Sequence, residues 1–146
     1  MGPVSPVIGE GMVYYGGGSS LCAVDLTSMK EKWCHEAGGI IFSTPAVTQG
    51  YVLFAAWPGA GFYALDAQDG GLKWQMPRSG SVGLCPTVAE NVVYFANEVD
   101  NKLYALELQS GTVLWSFRTK GMLSPPVPGE GVVYFSAKDN SLYAVH

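Results

Sequence analysis

Residues that could carry chemistry are few in this chain, and they are scattered. His35 and His146 lie far apart, and neither stands at a metal-ligand spacing from cysteine or carboxylate. Glu98 and Asp100 form an acidic pair in a short loop, where such residues are usually solvated. The sequence has no glycine-rich phosphate loop and no Gly-x-Ser-x-Gly elbow. We therefore expect no catalytic residues and favour a chain that is not an enzyme on its own.

The chain is a tandem repeat of about 41 residues, and this repeat must position any residues that carry function. The phrase Ala-Leu-Asp-x-x-x-Gly-x-x-x-Trp at 64–74 returns at 105–115 with Glu in the Asp place, and in altered form at 23–33. A fourth copy begins at 142–146 with Leu-Tyr-Ala-Val-His. The repeat units are predicted at about 5–42, 43–83, 84–124 and 125–146 within a single domain spanning 1–146.

Each full unit contains four short stretches rich in strand-forming residues and bounded by turn residues. In the third unit these stretches are 87–88, 92–96, 102–107 and 112–118. No window has the apolar spacing of a helix. The pattern predicts an all-β protein, a β-propeller segment of about four four-stranded antiparallel blades, the last of which lacks its outer strand.

The turn and the tryptophan of the repeat have physical explanations. Glycine admits a positive φ and the preceding Asp or Ser can bond the turn backbone, so Asp69-Gly70 and Ser110-Gly111 are predicted hairpin turns. Asp25, Asp66 and Glu107 recur with the repeat, which favours turn chemistry over catalysis. Met29 replaces this glycine in the first unit and predicts either strain or a different turn. A large outer-strand indole with an N–H donor suits the packing of one blade on the next. We therefore assign a structural docking role to Trp33, Trp74 and Trp115.

These units resemble the PQQ-like repeats of quinoprotein alcohol dehydrogenases and of the outer-membrane assembly lipoprotein that forms an eight-bladed propeller. The shared pattern is Ala-x-Asp-x-x-Thr-Gly-x-x-x-Trp, which Ala64, Asp66, Gly70 and Trp74 match. The resemblance leaves open an alternative, a fragment of a dehydrogenase that uses pyrroloquinoline quinone (PQQ) with calcium. Such a site needs side chains from many blades, and the adjacent cysteine pair of some of these enzymes is absent. For this chain alone we expect no cofactor and no metal.

The three cysteines, Cys22, Cys34 and Cys85, are substitutions into the repeat. Two interpretations remain open. Buried free thiols are the favoured one, since free cysteine packs as a small apolar residue. The alternative is a cross-strand bridge between Cys22 and Cys34, which lie on the two arms of one predicted hairpin.

Composition restricts the partners. The net charge is -4 and the basic residues are scattered, which argues against nucleic acid and anionic membranes as partners. The uncharged stretch 37–65 contains proline and glycine breakers, so no membrane span is predicted. The first residues contain no charged leader or apolar signal core. The compartment therefore stays unassigned, although proteins with similar repeats are mostly exported.

Function is expected where the units differ, because loops on a rigid scaffold carry binding residues. The loops between the second and third strands share one face with the links between blades. The candidate binding residues of this face are Trp57, Glu98, Asp100, Lys102 and Lys138. They predict a module that binds a protein or a small ligand, neither of which the sequence identifies.

The predicted arc of blades has two open ends. Propellers remove exposed sheet edges by closing into a ring. We therefore predict a homodimer in which two copies form an eight-bladed ring. A single closed ring of four wedge-shaped blades is the alternative.

Overall fold

The computed structural model describes residues 4–41, 43–57, 61–76, 86–97, 100–121 and 124–146. Within these ranges every regular element is a β-strand, and no helix that could cross a membrane occurs. The strands are β1 (Val7–Gly9), β2 (Met12–Gly17), β3 (Ser20–Asp25), β4 (Glu31–Glu36), β5 (Ile40–Ile41), β6 (Ala46–Thr48), β7 (Tyr51–Trp57), β8 (Gly61–Asp66), β9 (Leu72–Met76), β10 (Thr87–Ala89), β11 (Val92–Asn97), β12 (Lys102–Glu107), β13 (Val113–Arg118), β14 (Val127–Gly129), β15 (Val132–Ser136) and β16 (Leu142–Val145).

The strands form four antiparallel sheets, one for each repeat. Blade 1 has the order β1-β2-β3-β4, blade 3 has β10-β11-β12-β13, and blade 4 has the three strands β14-β15-β16. Blade 2 contains β7, β8 and β9, and both β5 and β6 pair with the inner edge of β7. The predicted all-β propeller segment is confirmed, and each strand predicted in the third unit is right to within one residue. The short strand β5 was not predicted.

The blades form an open arc. The inner strands are neighbours in sequence order, with β1 beside β6, β6 beside β10 and β10 beside β14. Among the described strands, β14 makes no contact with β1. A single closed four-bladed ring is therefore not the arrangement that this chain adopts, and that alternative is wrong.

The core is divided into layers between successive blades. Between blades 1 and 2, Tyr14, Leu21 and Ala23 from one sheet belong to the same buried cluster as Phe54, Tyr63 and Leu65 from the next. Alternate residues of each strand thus face the preceding or the following blade, as the two-residue period of a strand requires. Stacked rings extend the pattern, with Phe62 over Phe95 at 4.6 Å between centroids.

The turn before each outer strand is built alike in the three full blades. The amide of Gly70 donates to the Asp66 carbonyl at 2.9 Å, and Gly70 has φ +74°. Met29 donates to the Asp25 carbonyl at 2.8 Å and has φ +58°, so it adopts the glycine conformation. Of the two outcomes predicted for Met29, strain is right and a different turn is wrong, because a side chain in this region is disfavoured.

Candidate interaction surfaces

In each of blades 1 and 2, one tryptophan donates a hydrogen bond to the blade that follows. The Trp33 Nε1–H donates to the carbonyl of Ala67 at 3.2 Å, and the Trp74 Nε1–H donates to Leu108 at 2.7 Å. The indoles lie on the turn glycines of the following blade. A Cβ atom placed on Gly70 would stand 2.5 Å from the Trp33 ring. Glycine at this turn therefore serves the neighbouring blade as well as its own backbone.

A tyrosine assists the first of these contacts. The Tyr14 hydroxyl donates to the same Ala67 carbonyl at 3.0 Å, and its ring lies 5.9 Å from that of Trp33. Burial raises the pKa of Tyr14 to about 12, and the nearby carboxylates of Glu10 and Asp66 act in the same direction. The hydroxyl is therefore held protonated as a donor.

Blade 3 repeats the donor pair without the acceptor. Tyr94 and Trp115 have the same mutual geometry, with their rings 6.0 Å apart, and both are only partly buried. Neither the Tyr94 hydroxyl nor the Trp115 Nε1–H finds a hydrogen-bond acceptor among the described residues. Ala67 and Leu108 hold the acceptor place in blades 2 and 3, three residues after the repeat alanine.

Both ends of the arc present apolar side chains. We call the outward side of blade 4 the trailing flank, with Val127, Tyr134 and Leu142, and the outward side of blade 1 the leading flank, with Ile8 and Tyr15. Leu142 is 74% exposed and Ile8 is 71% exposed. Continuous apolar faces of this kind mark interaction surfaces in soluble proteins.

The candidate binding residues come from three blades of the loop face. Trp57 ends β7 opposite Ile40 and is 44% exposed. Lys102 begins β12, and Lys138 lies in the turn between β15 and β16, next to Gly121. Glu98 lies outside the described residues. No described hydrogen bond or ring contact joins Trp57 to the candidate residues of blades 3 and 4.

Asp100 bonds the backbone and a tyrosine of its own blade. Its carboxylate accepts from the Lys102 amide at 3.1 Å and from the Tyr104 hydroxyl. Burial, with the hydrogen bond to Asp100 as the second cause, raises the pKa of Tyr104 to about 12. Asp139 repeats the arrangement with Tyr143 at 2.6 Å. The recurrence in two blades gives these aspartates a role in shaping the loop face.

The opposite end of the blades is linked by turn side chains that the sequence reasoning missed. The Gly50 amide donates to the Glu10 carboxylate at 3.1 Å, and the Gln49 side-chain amide donates to the Glu90 carbonyl at 2.7 Å. The sequence contains a signal for these contacts, since Glu or Gln precedes Gly or Asn at each of these turns. A cavity of about 340 Å³ lies between the corresponding turns of blades 3 and 4, beside Glu90 and Glu130.

The cysteines correct one interpretation of the sequence. Cys22 and Cys34 form a disulfide between directly opposed residues of β3 and β4, with Cα atoms 4.1 Å apart. The favoured free-thiol interpretation is therefore wrong for these two residues, and the cross-strand bridge is right. Their register places them opposite one another, which the hairpin pattern had indicated. Cys85 lies outside the described residues.

The group of potential metal ligands found among the described side chains is of a type that does not suit calcium. Calcium takes six to eight oxygen ligands. Among the described side chains, the one group of three potential metal ligands within reach of each other is Cys22, Glu31 and Cys34, in the outer hairpin of blade 1. Two of these three are sulfur atoms, so the group does not suit calcium.

These features define a PQQ-like β-propeller segment. The family model described as outer membrane protein assembly factor BamB matches residues 1–93 and, in a second match, 77–146. The chain belongs to this family. A search of curated proteins gave no match.

Solved structures of three kinds share the fold. BamB from Moraxella catarrhalis is 17% identical with a TM-score of 0.77, and the match covers 92% of this chain and 42% of BamB. The computationally designed Ika4 protein is 12% identical with a TM-score of 0.84, over 97% of this chain and 88% of Ika4. A europium-containing methanol dehydrogenase is 18% identical with a TM-score of 0.63, over 83% of this chain and 24% of the enzyme. The chain thus spans less than half the length of BamB.

Proposed function

We propose that this chain is a non-enzymatic interaction module that associates with a second copy of itself to close an eight-bladed ring. The exposed trailing flank carries the proposal. Tyr134 and Leu142 occupy the register positions of Tyr14 and Leu21, which the following blade buries completely. A surface with the residues of a blade contact is best covered by another blade.

The second copy is the partner that the two flanks favour. In a two-fold ring the trailing flank of each copy meets the leading flank of the other, so both apolar faces are covered by one symmetric operation.

The docking role of the tryptophans belongs to this proposal. Trp33 and Trp74 hold successive blades through one carbonyl and one glycine each, and we assign Trp115 to the same role at the junction after blade 3. The loop face, with Trp57 as its exposed aromatic residue, is the proposed surface for a further protein or small ligand. No cofactor forms part of the proposal, so PQQ added with calcium should keep the absorption spectrum of free PQQ in the presence of the chain.

Light scattering on the purified chain tests the dimer. We expect about twice the 15.5 kDa chain mass at micromolar concentration, with dissociation on dilution. Leu142→Asp should give a monomer, because it places a charge in the apolar junction.

The matched control for this test is Leu114→Lys. Leu114 is also exposed, and Lys32 and Lys73 hold its register position in blades 1 and 2, so this variant should stay dimeric. A wild-type chain that remains a monomer at tens of micromolar, or a Leu142→Asp variant that stays dimeric, would contradict the proposal.

A further inference from the structure

Blade 1 carries a row of side chains that its sister blades lack. Tyr15 pairs with Cys22, and Cys22 pairs with Cys34, so the three residues stand side by side across β2, β3 and β4. Residues opposed in this way point to the same side of the sheet. Cys34 is exposed, whereas Cys22 opposite it on β3 is buried.

A β-bulge adds a carboxylate to this row. The register between β3 and β4 shifts after Ala23, which pairs with Trp33, so that Val24 pairs with Glu31 and Lys32 is the extra residue. Without the shift Glu31 would share the side of Trp33. With it, Glu31 turns to the cysteine side, which is how a bulge re-aims a side chain. A Glu31 carboxylate oxygen and both sulfur atoms lie within 4.8 Å of one another.

The other blades have the same bulge but no ligands around it. Leu72 and Val113 hold the place of Glu31 in blades 2 and 3. Tyr63 with Gln75 and Tyr104 with Ser116 hold the places of the cysteine pair. Three ligand-type residues at one point of one blade are therefore additions to the repeat, since the fold itself forms without them.

The geometry points to a thiol-gated site for a soft divalent cation such as Zn²⁺ or Cd²⁺, made by Cys22, Cys34 and Glu31 when the disulfide is reduced. A dithiol reductant breaks the S–S bond, which gains two electrons and two protons and becomes two thiols, while the dithiol closes to its own disulfide. The cation then displaces the two thiol protons and forms two metal–sulfur bonds. The carboxylate is the third ligand, and one coordination position stays open.

The hairpin keeps the sulfur atoms together after reduction. A tetrahedral Zn²⁺ with bonds of about 2.3 Å needs its two sulfurs about 3.8 Å apart. The Cα atoms of Cys22 and Cys34 are 4.1 Å apart, and both lie in the part of the hairpin whose pairing is unbroken, from Ser20 opposite Glu36 to Ala23 opposite Trp33. The Tyr15 hydroxyl donates to the Glu31 carboxylate at 3.4 Å and orients it as a supporting group.

The site would also stay accessible in a completed ring. Leu72 and Val113 are 52% and 45% exposed although the preceding blade covers that side of blades 2 and 3. Gln75 and Ser116, in the place of Cys34, are exposed as well. The outer hairpin thus lies at the rim, so a neighbouring copy on the leading flank leaves Glu31 and Cys34 open to solvent. The inference is therefore independent of the dimer.

Cadmium titration of the full chain tests the site. We expect a Cys85→Ser chain, reduced with a phosphine and desalted without oxygen, to bind one Cd²⁺ with a thiolate-to-metal absorption band. The oxidised chain should show no band. Glu31→Gln should keep the band and weaken binding by about tenfold or more. Glu36→Gln, an exposed glutamate of the same strand that bonds Ser20, should bind like the parent.

Each of the following results would count against the site. Equal cadmium binding before and after reduction would place the metal elsewhere. Equal affinity of the Glu31→Gln and Glu36→Gln chains would remove the carboxylate ligand and leave an ordinary thiol pair. A reduced chain that loses its strand circular dichroism would also overturn the inference, because the hairpin must hold the sulfurs. The Cys22→Ser, Cys34→Ser double variant, which lacks both thiols, should stay folded and show no band.

Discussion

The junction between blades 1 and 2 and the trailing flank of blade 4 contain the same residue types at the same register. Leu21 is fully buried in the first, whereas Leu142 is 74% exposed in the second, and Tyr14 and Tyr134 differ in the same way. The sequence of one blade therefore does not decide its burial. The neighbouring blade does, as expected of a repeat protein whose units contact only the next unit.

The largest expected difference is between a tryptophan that donates to the following blade and one that has no acceptor among the described residues. Trp74→Ala should lower the free energy of unfolding by about 3–5 kcal/mol, because it empties a buried site and leaves the Leu108 carbonyl without its donor. Trp115→Ala should cost about 1 kcal/mol or less, because this side chain is only partly buried and its Nε1–H has no acceptor among the described residues. Urea unfolding followed by circular dichroism measures both. Equal losses would contradict the weaker anchoring of Trp115.

The turns beneath the indoles give the next contrast. Gly70→Ala should destabilise by about 1–3 kcal/mol, because its Cβ would stand 2.5 Å from the Trp33 ring and its φ is +74°. Met29→Gly should instead stabilise by about 1 kcal/mol, since it relieves a side chain at φ +58°. Thermal melts of the two variants give opposite shifts. A destabilised Met29→Gly chain would mean that the exposed Met29 side chain makes a contact of its own.

Tyr14 and Tyr94 allow a comparison between a hydroxyl donor that has an acceptor and one that has none among the described residues. Tyr14→Phe should cost about 1 kcal/mol through the lost bond to Ala67, and Tyr94→Phe should be close to neutral because its hydroxyl has no acceptor among the described residues. Because the folded pKa of Tyr14 is about 12 against the ordinary 10, its contribution is full below pH 10 and is lost as the pH rises towards 12. Denaturant midpoints across this range should therefore fall less steeply for Tyr14→Phe than for Tyr94→Phe.

The smallest expected effect concerns the turn carboxylates in acid. The backbone amide of Gln68 lowers the pKa of Asp66, and Lys73, 3.2 Å away, acts in the same direction. The backbone amide of Ser28 lowers the pKa of Asp25. A lowered folded pKa gives stability that is present above the unfolded value, near 4, and is lost as the pH falls through the folded value. Asp66→Asn should therefore reduce the acid dependence of the denaturant midpoint below pH 4. Asp25→Asn should act in the same direction, and unchanged acid dependence in both variants would refute the effect.

The periodic sequence was enough to predict the blades, because a strand, a Gly turn and an outer tryptophan recur at one spacing. In the third unit even the strand ends follow from residue type. The short strand β5 was not foreseen, since Ile40-Ile41 has no counterpart in the other units. Sequence spacing indicated that Cys22 and Cys34 could meet, but it could not choose between thiols and a bridge.

Glu31 could not have been placed beside the cysteines from the sequence. Its side of the sheet depends on the bulge after Ala23, and alternation without a bulge predicts the opposite side. The candidate residues of the loop face remain a prediction. Trp57, Asp100, Lys102 and Lys138 were chosen because their loops differ among units, and difference alone does not identify a ligand.

The interlocking of each blade with only its two neighbours has a consequence for cooperativity. Glu10 reaches the turn of blade 2, Gln49 reaches blade 3, and neither spans further. In the single chain, loss of structure can therefore begin at either outer sheet and proceed inward one sheet at a time, so that amide hydrogen exchange grades from rapid at the ends to slow in the middle of the row.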